Sequence, residues 1–408
     1  MSSRASWMDG HQLALHEGAR ALIPAMVQAM DQARSSVHLE TYIFDFEGIA
    51  QSFLEALVRT AQRGVTVRVV VDGVGTPNCP SPWRERLEQS GVQWRVYMPL
   101  GPWGLLIPSR WRRLHRKLCV IDGEVAFCGG INVLDDWLDP RHGALSNPRL
   151  DFAVQVRGPL VGAVQDMMLQ LWWRMQLVAD VRERNLPQAL QSLRSGAKAQ
   201  WDAVRTHGEF QAEGVRAAVL WRDNVRHRAS IERAYLKAIG AARYDIVLAN
   251  AYFLPGKRLR QALILAARRG VRVRVLLQGR YEYFMQYHAT RPVYRELLAA
   301  GVEIYEYKTS FLHAKVAVVD PGHERSWVTV GSSNLDPLSL LLAREANVLV
   351  QDAQFAQQLH IRLQAAMTHD SEPVLQQGLM RLPWTQRLCD ALAYGLMRLA
   401  LFLSGNRY

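Results

Sequence analysis

"LHRKLCVID" (Leu114–Asp122) sets a histidine two residues before a lysine and seven before an aspartate, and leads into an apolar run. Far down the chain "LHAKVAVVD" (Leu312–Asp320) does the same. The surroundings repeat as well. "AMDQARSSVHLETYIF" (Ala29–Phe44) parallels "AIGAARYDIVLANAYFL" (Ala238–Leu254), and "LVRTAQRGVTVRVVVDG" (Leu57–Gly73) parallels "LILAARRGVRVRVLLQG" (Leu263–Gly279). "RLEQSGVQWRVY" (Arg86–Tyr97) parallels "ELLAAGVEIYEY" (Glu296–Tyr307). Matched segments in one order mark a duplicated chain.

Each copy alternates helix-like and strand-like stretches. "GIAQSFLEALVRTAQRG" carries apolar residues at helical spacing and ends on Gly64, a helix-stop signal. "VTVRVVVDG" follows, valine-rich and closed by Gly73, as a buried strand does. The pattern predicts an α/β protein of two tandem repeats, each a mixed sheet flanked by helices, with the active site between them. The expected divisions are 1–195 for the repeat with the first motif, 196–365 for the second, and 366–408 for an amphipathic tail. The polar stretch from Val181 to Gly214 is expected to link the halves.

The 408 residues are 49% hydrophobic, which excludes a disordered chain, and the formal net charge of +12 asks for an anionic partner. Charge alone does not choose between nucleic acid and an acidic membrane. Cys79, Cys119, Cys128 and Cys389 lack metal-ligand spacing and read as reduced thiols, with Cys119 and Cys128 inside apolar runs. The N-terminus shows no signal-peptide core, and no uninterrupted apolar run reaches the length of a spanning helix.

After the first motif comes "VAFCGGIN", after the second "SWVTVGSSN". The motifs read as strands, so His115 and Lys117 are expected to share a face, as are His313 and Lys315. The glycines before Asn132 and Asn334 let backbone approach a ligand and offer amides to an anion. Imidazole, ammonium and amide on one surface describe a phosphate site. Duplication makes one cleft of two such sites, with paired imidazoles for phosphodiester chemistry. One attacks phosphorus while the other protonates the leaving alkoxide, and no metal or other cofactor is required. A histidine in this role needs a carboxylate on its second nitrogen, and each half offers one downstream: Asp151 in "LDFAVQV" and Glu345 in "REANVLV". Asp122 and Asp320 belong to the motif, and their place at the strand ends also suits structural turn and ion-pair residues.

The repeated H-x-K-x4-D with G-[GS]-x-N resembles the phospholipase D superfamily, and within it the bacterial cardiolipin synthases. "HLETYIF", "RLHRKLCVIDGEVAFCGGIN", "WRDNVRHR", "NAYFLPG", "EIYEYKTSFLHAKVAVVD" and "GSSNLDPLSLLLAREANVLV" carry the likeness, which spans roughly residues 15 to 360. It implies a phosphatidyl–histidine intermediate with catalytic His115, Lys117, Asp122, His313, Lys315 and Asp320. It places Asn132, Asn334, Gly130 and Ser332 around the substrate, with Asp151 and Glu345 orienting the histidines. The implied reaction transfers a phosphatidyl group between two phosphatidylglycerols and releases glycerol. Water as acceptor, giving a phospholipase or nuclease, is the alternative.

Gly130 stands where the second copy has Ser332, so the site is asymmetric. Less side chain around His115 is expected to leave room for attack, and Ser332 is expected beside His313, where it can bond a hydroxyl. Trp103, Leu105, Leu106, Ile107 and Trp111 alternate with Arg110, Arg112 and Arg113, a composition suited to lipid headgroups. Leu388, Leu392, Leu396, Leu399 and Leu403 form a stripe, either lying in a membrane interface or docked on the core. These features favour anionic phospholipid and a membrane surface over nucleic acid, and the resemblance implies a peripheral protein on the cytoplasmic face of the inner membrane.

Overall fold

A computed structural model describes residues 5–101, 104, 108–140, 142–182, 188, 191, 214–223, 227, 229–280, 284–336, 343–380 and 383–403. The first half holds β1 (Met8–Glu17), α1 (Ala19–Asp31), β2 (Ser36–Thr41), α2 (Ile49–Gln62), β3 (Thr66–Asp72), α3 (Ser81–Ser90), β4 (Gln93–Tyr97) and β5 (Arg113–Leu114). It continues through β6 (Leu118–Ile121), β7 (Val125–Gly129), the short pair β8 (Leu138–Asp139) and β9 (Gly143–Ala144), β10 (Phe152–Arg157) and α4 (Leu160–Arg182). The second half opens with β11 (Val215–Arg222), α5 (Ser230–Ala241), β12 (Asp245–Asn250), α6 (Lys257–Arg268), β13 (Arg272–Gln278), α7 (Phe284–Ala299) and β14 (Glu303–Tyr307). Then come β15 (Lys315–Val319), β16 (Trp327–Gly331), β17 (Ala343–Gln351), α8 (Ala353–His369), β18 (Ser371–Pro373), α9 (Gln376–Met380) and α10 (Trp384–Leu403).

The strands form one mixed 16-stranded sheet whose order reads nearly the same from either end. From one edge it runs β4-β3-β2-β6-β7-β10-β1, and from the other, after β18, it runs β14-β13-β12-β15-β16-β17-β11. The halves meet where β1 pairs antiparallel with β11, Met8 opposite Ala217 and His11 opposite Val215. β2, β3 and β4 run parallel, as do β12, β13 and β14, joined by the helices that the periodicity predicts. On α2 the buried residues Phe53, Leu54 and Leu57 fall on one stripe, each stabilising the fold by about 1.5–3 kcal/mol when taken from water.

Each sheet half buries one face under its own helices. The opposite faces share a single core, in which Leu118, Val120 and Val154 join Val316, Val318 and Val348. α4 and α8, which follow β10 and β17, close that shared core. Leu118, Leu312 and Ala314, from the two histidine motifs, belong to this core.

The chain from 366 adds more to the fold than a tail does. β18 extends the sheet beside β14, and α10 packs along α7. Ala393 and Met397 of α10 enter the second half's core, and buried Asp390 accepts from His288 Nδ1 at 2.7 Å. On the other side Trp384, Leu388, Leu392 and Leu396 are more than half exposed. The helix therefore has a docked face made by other residues, and Leu388, Leu392 and Leu396 of the stripe lie on its open face. Leu399 lies where no side chain is described, as do Trp103, Leu105, Leu106 and Ile107, while Trp111 is exposed.

Candidate active site

The two histidines lie just ahead of their strands, since β6 starts at Leu118 and β15 at Lys315. The same-face rule for strands therefore does not place the lysines. Each ammonium instead folds back on its own motif: Lys117 Nζ donates to the His115 carbonyl at 2.8 Å, and Lys315 Nζ donates to that of His313.

Each histidine segment is held by the opposite half. β5 pairs parallel with the start of β17, and the His115 amide donates to the Arg344 carbonyl at 3.0 Å. Across the cleft the His313 amide donates to the Leu150 carbonyl at 2.9 Å. The side chains follow. His115 Nδ1 meets Glu345 Oε1 at 3.0 Å, and His313 Nδ1 meets Asp151 Oδ2 at 2.6 Å. Both carboxylates are almost wholly covered, 0% and 3% exposed, against 15% and 21% for the imidazoles. With Nδ1 tied to a carboxylate, Nε2 is the nitrogen left for chemistry on each ring.

Burial pulls both imidazoles below their ordinary range. Glu345 opposes this at His115, while Lys315 and Lys117 add to it at His313, which falls well below. Burial, with the charge of Lys315, lowers Lys117 to about 7, and burial raises Asp151 to about 7 against the pull of Lys315. Burial thus disfavours the charged forms of His115, His313, Lys117 and Asp151, and an anion among them relieves the repulsion between the cations.

Gly130 and Ser332 occupy equivalent positions, Gly130 N donating to Phe152 O at 2.9 Å and Ser332 N to Ala346 O at 3.0 Å. Their neighbours differ from the sequence expectation. A Cβ at Gly130 would sit 2.3 Å from Asp151 Oδ1, so the glycine makes room for the carboxylate of His313. Ser332 Oγ donates to Glu345 Oε2, and so supports His115. The reason is the crossing: each residue touches the carboxylate of its own half, which serves the histidine of the other.

Asn132 is buried and its Oδ1 accepts from Ile43 N at 3.1 Å, while the buried Asn334 Oδ1 has no hydrogen-bond partner among the described residues. Asp122 and Asp320 lie at the far ends of β6 and β15, away from the histidines. Asp122 accepts from the amides of Arg34, Ser35 and Ser36 at 2.8–2.9 Å, and Asp320 from those of Arg243, Tyr244 and Asp245 at 2.8–3.0 Å. They anchor the turns leading into β2 and β12, each at positive φ of 54° and 49°, which aspartate tolerates. Burial raises the Asp122 carboxyl, and its backbone donors outweigh that and hold it below the usual range.

Other residues at the site escaped sequence reasoning. Asp72 Oδ2 accepts from Leu114 N at 2.7 Å and Gln278 Oε1 from Leu312 N at 3.2 Å, fixing the residue before each histidine. Both stand before a glycine in matched strands, "VVVDG" and "VLLQG", and that match was the available signal. The Tyr42 ring lies 5.0 Å from the His115 ring, with the Lys117 ammonium 5.5 Å from its centroid. Cys119 and Cys128 are buried, which pushes their thiols up to about 12 and leaves them inert. Among the described residues no cluster of three or more His, Cys, Asp or Glu is arranged to hold a metal ion.

The family described as "Cardiolipin synthase, PLD-like domain" matches residues 26–141 and 235–367, one stretch in each sheet half and each with its histidine motif. This chain belongs to that family. Cardiolipin synthase B of Salmonella typhi is 35% identical over 396 residues, covering 97% of this chain and 90% of the relative. The Escherichia coli cardiolipin synthase B is 34% identical over 398 residues, with the same coverage. Among solved structures, a phosphatidylserine synthase from Haemophilus influenzae superposes with a TM-score of 0.68 over 97% of this chain and 95% of that one, at 12% identity. That likeness is one of fold. The matched residues include both histidine motifs and Glu345, while Asp151 lies just beyond the first matched stretch.

Proposed function

We propose that this protein is a phosphatidyltransferase that makes cardiolipin from two phosphatidylglycerols and releases glycerol. The observation that carries the reading is the crossed pairing of two imidazoles with two buried carboxylates, in a chain near full-length likeness to cardiolipin synthase B. His115 Nε2 attacks the donor phosphorus, and the P–O bond to glycerol breaks as the N–P bond forms. His313, which takes up a proton as the anionic lipid enters beside it, gives that proton to the departing alkoxide. The hydroxyl of the second phosphatidylglycerol then gives a proton to His313 and attacks phosphorus, and the N–P bond breaks. Lys117, Lys315, Asn132 and Asn334 bind the non-bridging oxygens through both steps. Proton transfer by a placed imidazole contributes about 10²–10⁴-fold.

The open face of α10 gives this reading its partner surface. Trp384, Leu388, Leu392 and Leu396 recur every fourth residue, and exposed Arg387 and Arg398 flank them. Such a helix lies in the plane of an anionic membrane with its arginines on lipid phosphates. Among the described residues no helix is long and apolar enough to cross one.

Mass spectrometry of products from purified protein and phosphatidylglycerol vesicles tests the reaction. Cardiolipin and glycerol in equal amounts are expected. Phosphatidic acid as the sole lipid product would replace transfer with hydrolysis.

A further inference from the structure

The two halves match so closely that the groups breaking the match stand out. Between His115 and Lys117, Arg116 is fully buried, its Nη2 2.8 Å from Glu40 Oε2 on β2. The two side chains are 2% and 1% exposed. β2 sets Glu40 opposite Leu118, and β12 sets Ala249 opposite Val316, so Ala249 is the counterpart of Glu40. The counterpart of Arg116, between His313 and Lys315, is Ala314.

A third charge joins them. Arg344 bears on Glu40 electrostatically, donates to Tyr97 Oη at 3.1 Å, and accepts the His115 amide on its carbonyl. The residue whose carbonyl plays that part for His313 is Leu150. Thus Glu40, Arg116 and Arg344 on one side correspond to Ala249, Ala314 and Leu150 on the other. A buried ion cluster costs desolvation that apolar residues avoid, and the second half shows that this scaffold accepts the apolar solution. Stability therefore does not explain the cluster.

Its geometry offers another use. Arg116 stands next to His115 and Arg344 next to Glu345; Glu40 pairs with the first and lies in the field of the second, so the cluster spans the two parts whose relative position sets the imidazole. We propose that Glu40, Arg116 and Arg344 are positioning residues that break the near equivalence of the two histidines and commit His115 to the attacking role. His313, flanked by alanine and leucine, keeps the latitude to serve a leaving and then an entering alcohol. This rests on the covalent reaction proposed above.

The test makes the first half resemble the second, with Glu40→Ala and Arg116→Ala combined. Removing one charge alone would strand the other in the core, so the pair is changed together. Labelled phosphatidylglycerol is acid-quenched on wild type and variant, and the adducts are mapped by peptide. The wild type is expected to carry label on His115 alone. The variant is expected to divide label between His115 and His313 and to lose about 10-fold or more in kcat, with a melting temperature close to wild type. Loss of packing alone would lower turnover without moving the label. Label confined to His115 in the variant overturns the inference, whereas a wild type with no adduct on either histidine overturns the covalent reading instead. Should the double variant fail to fold, Arg344→Leu, matching Leu150 and leaving the Glu40–Arg116 pair intact, is read by the same partition of label and judged in the same way.

Discussion

His115 and Glu345 are 230 residues apart in the chain and meet at 3.0 Å, while Asp151, the carboxylate of the first half, holds His313. Neither half contains a complete histidine–carboxylate pair. Both pairs form only when the sheet closes on its shared core, so the proposed catalytic unit is the duplicated whole.

Exchange of the two carboxylates therefore acts across the duplication. Glu345→Gln is expected to slow attack by His115, and Asp151→Asn to impair proton transfer by His313, each by about 10²–10⁴-fold. A donor lipid with an acidic leaving alcohol separates them in a rapid-quench experiment. Asp151→Asn should still build the covalent adduct from it, because the leaving group needs no proton, and Glu345→Gln should not.

His115→Ala and His313→Ala are each expected to reduce cardiolipin formation at least about 10³-fold, and the double variant to be no worse, since both serve one pathway. Circular dichroism should show retained fold. Near-normal turnover by either single variant would remove the paired mechanism.

Gly130→Ser should cost more than Ser332→Gly. The added Cβ would lie 2.3 Å from Asp151 Oδ1, a crowding worth about 1–3 kcal/mol of stability. Ser332→Gly removes a hydroxyl from Glu345 and opens space, so its expected effect falls on the His115 step. Thermal melts and adduct-formation rates report the two effects separately.

Burial lowers Lys117 to about 7 in the empty site, so it loses its proton, and its charge, as pH rises through that value. The kcat/KM for phosphatidylglycerol, which reports the free enzyme, should therefore fall above pH about 7. A bound phosphate favours the charged ammonium, so kcat should hold to higher pH. Initial rates between pH 6 and 9 check this, and a kcat/KM with no decline across that range would remove Lys117 from phosphate binding.

On α10, replacing Leu388, Leu392 and Leu396 together with serine is expected to weaken binding to anionic vesicles on the order of 100-fold, at about 1 kcal/mol for each partly inserted leucine. The melting temperature should stay near wild type because these side chains face outward. Truncation at Leu388 would also remove Asp390, Ala393 and Met397 from their contacts with the core, so it should lower both. Vesicle sedimentation and thermal melts together distinguish the open face from the docked one.

Much of this protein was legible in its sequence. The repeat, the alternation of α2 with β3, and the motif residues His115, Lys117, His313 and Lys315 follow from local periodicity and residue type, which a linear chain records directly. Even Asp122 and Asp320 announced a turn by preceding or nearing glycine at a strand end. What the chain could not record is which half serves which histidine, because Asp151 and Glu345 each lie downstream in their own copy and look like local partners. The exchange follows from β5 crossing to β17 and from the Leu150 carbonyl crossing to His313, contacts created by burying two sheet faces against each other. The same holds for α10: its spacing shows an apolar helix, and only packing against α7 decides that Ala393 and Met397 are docked while the leucine face stays open. Residue type and period are properties of the strand of text, whereas partner and exposure are properties of the closed core.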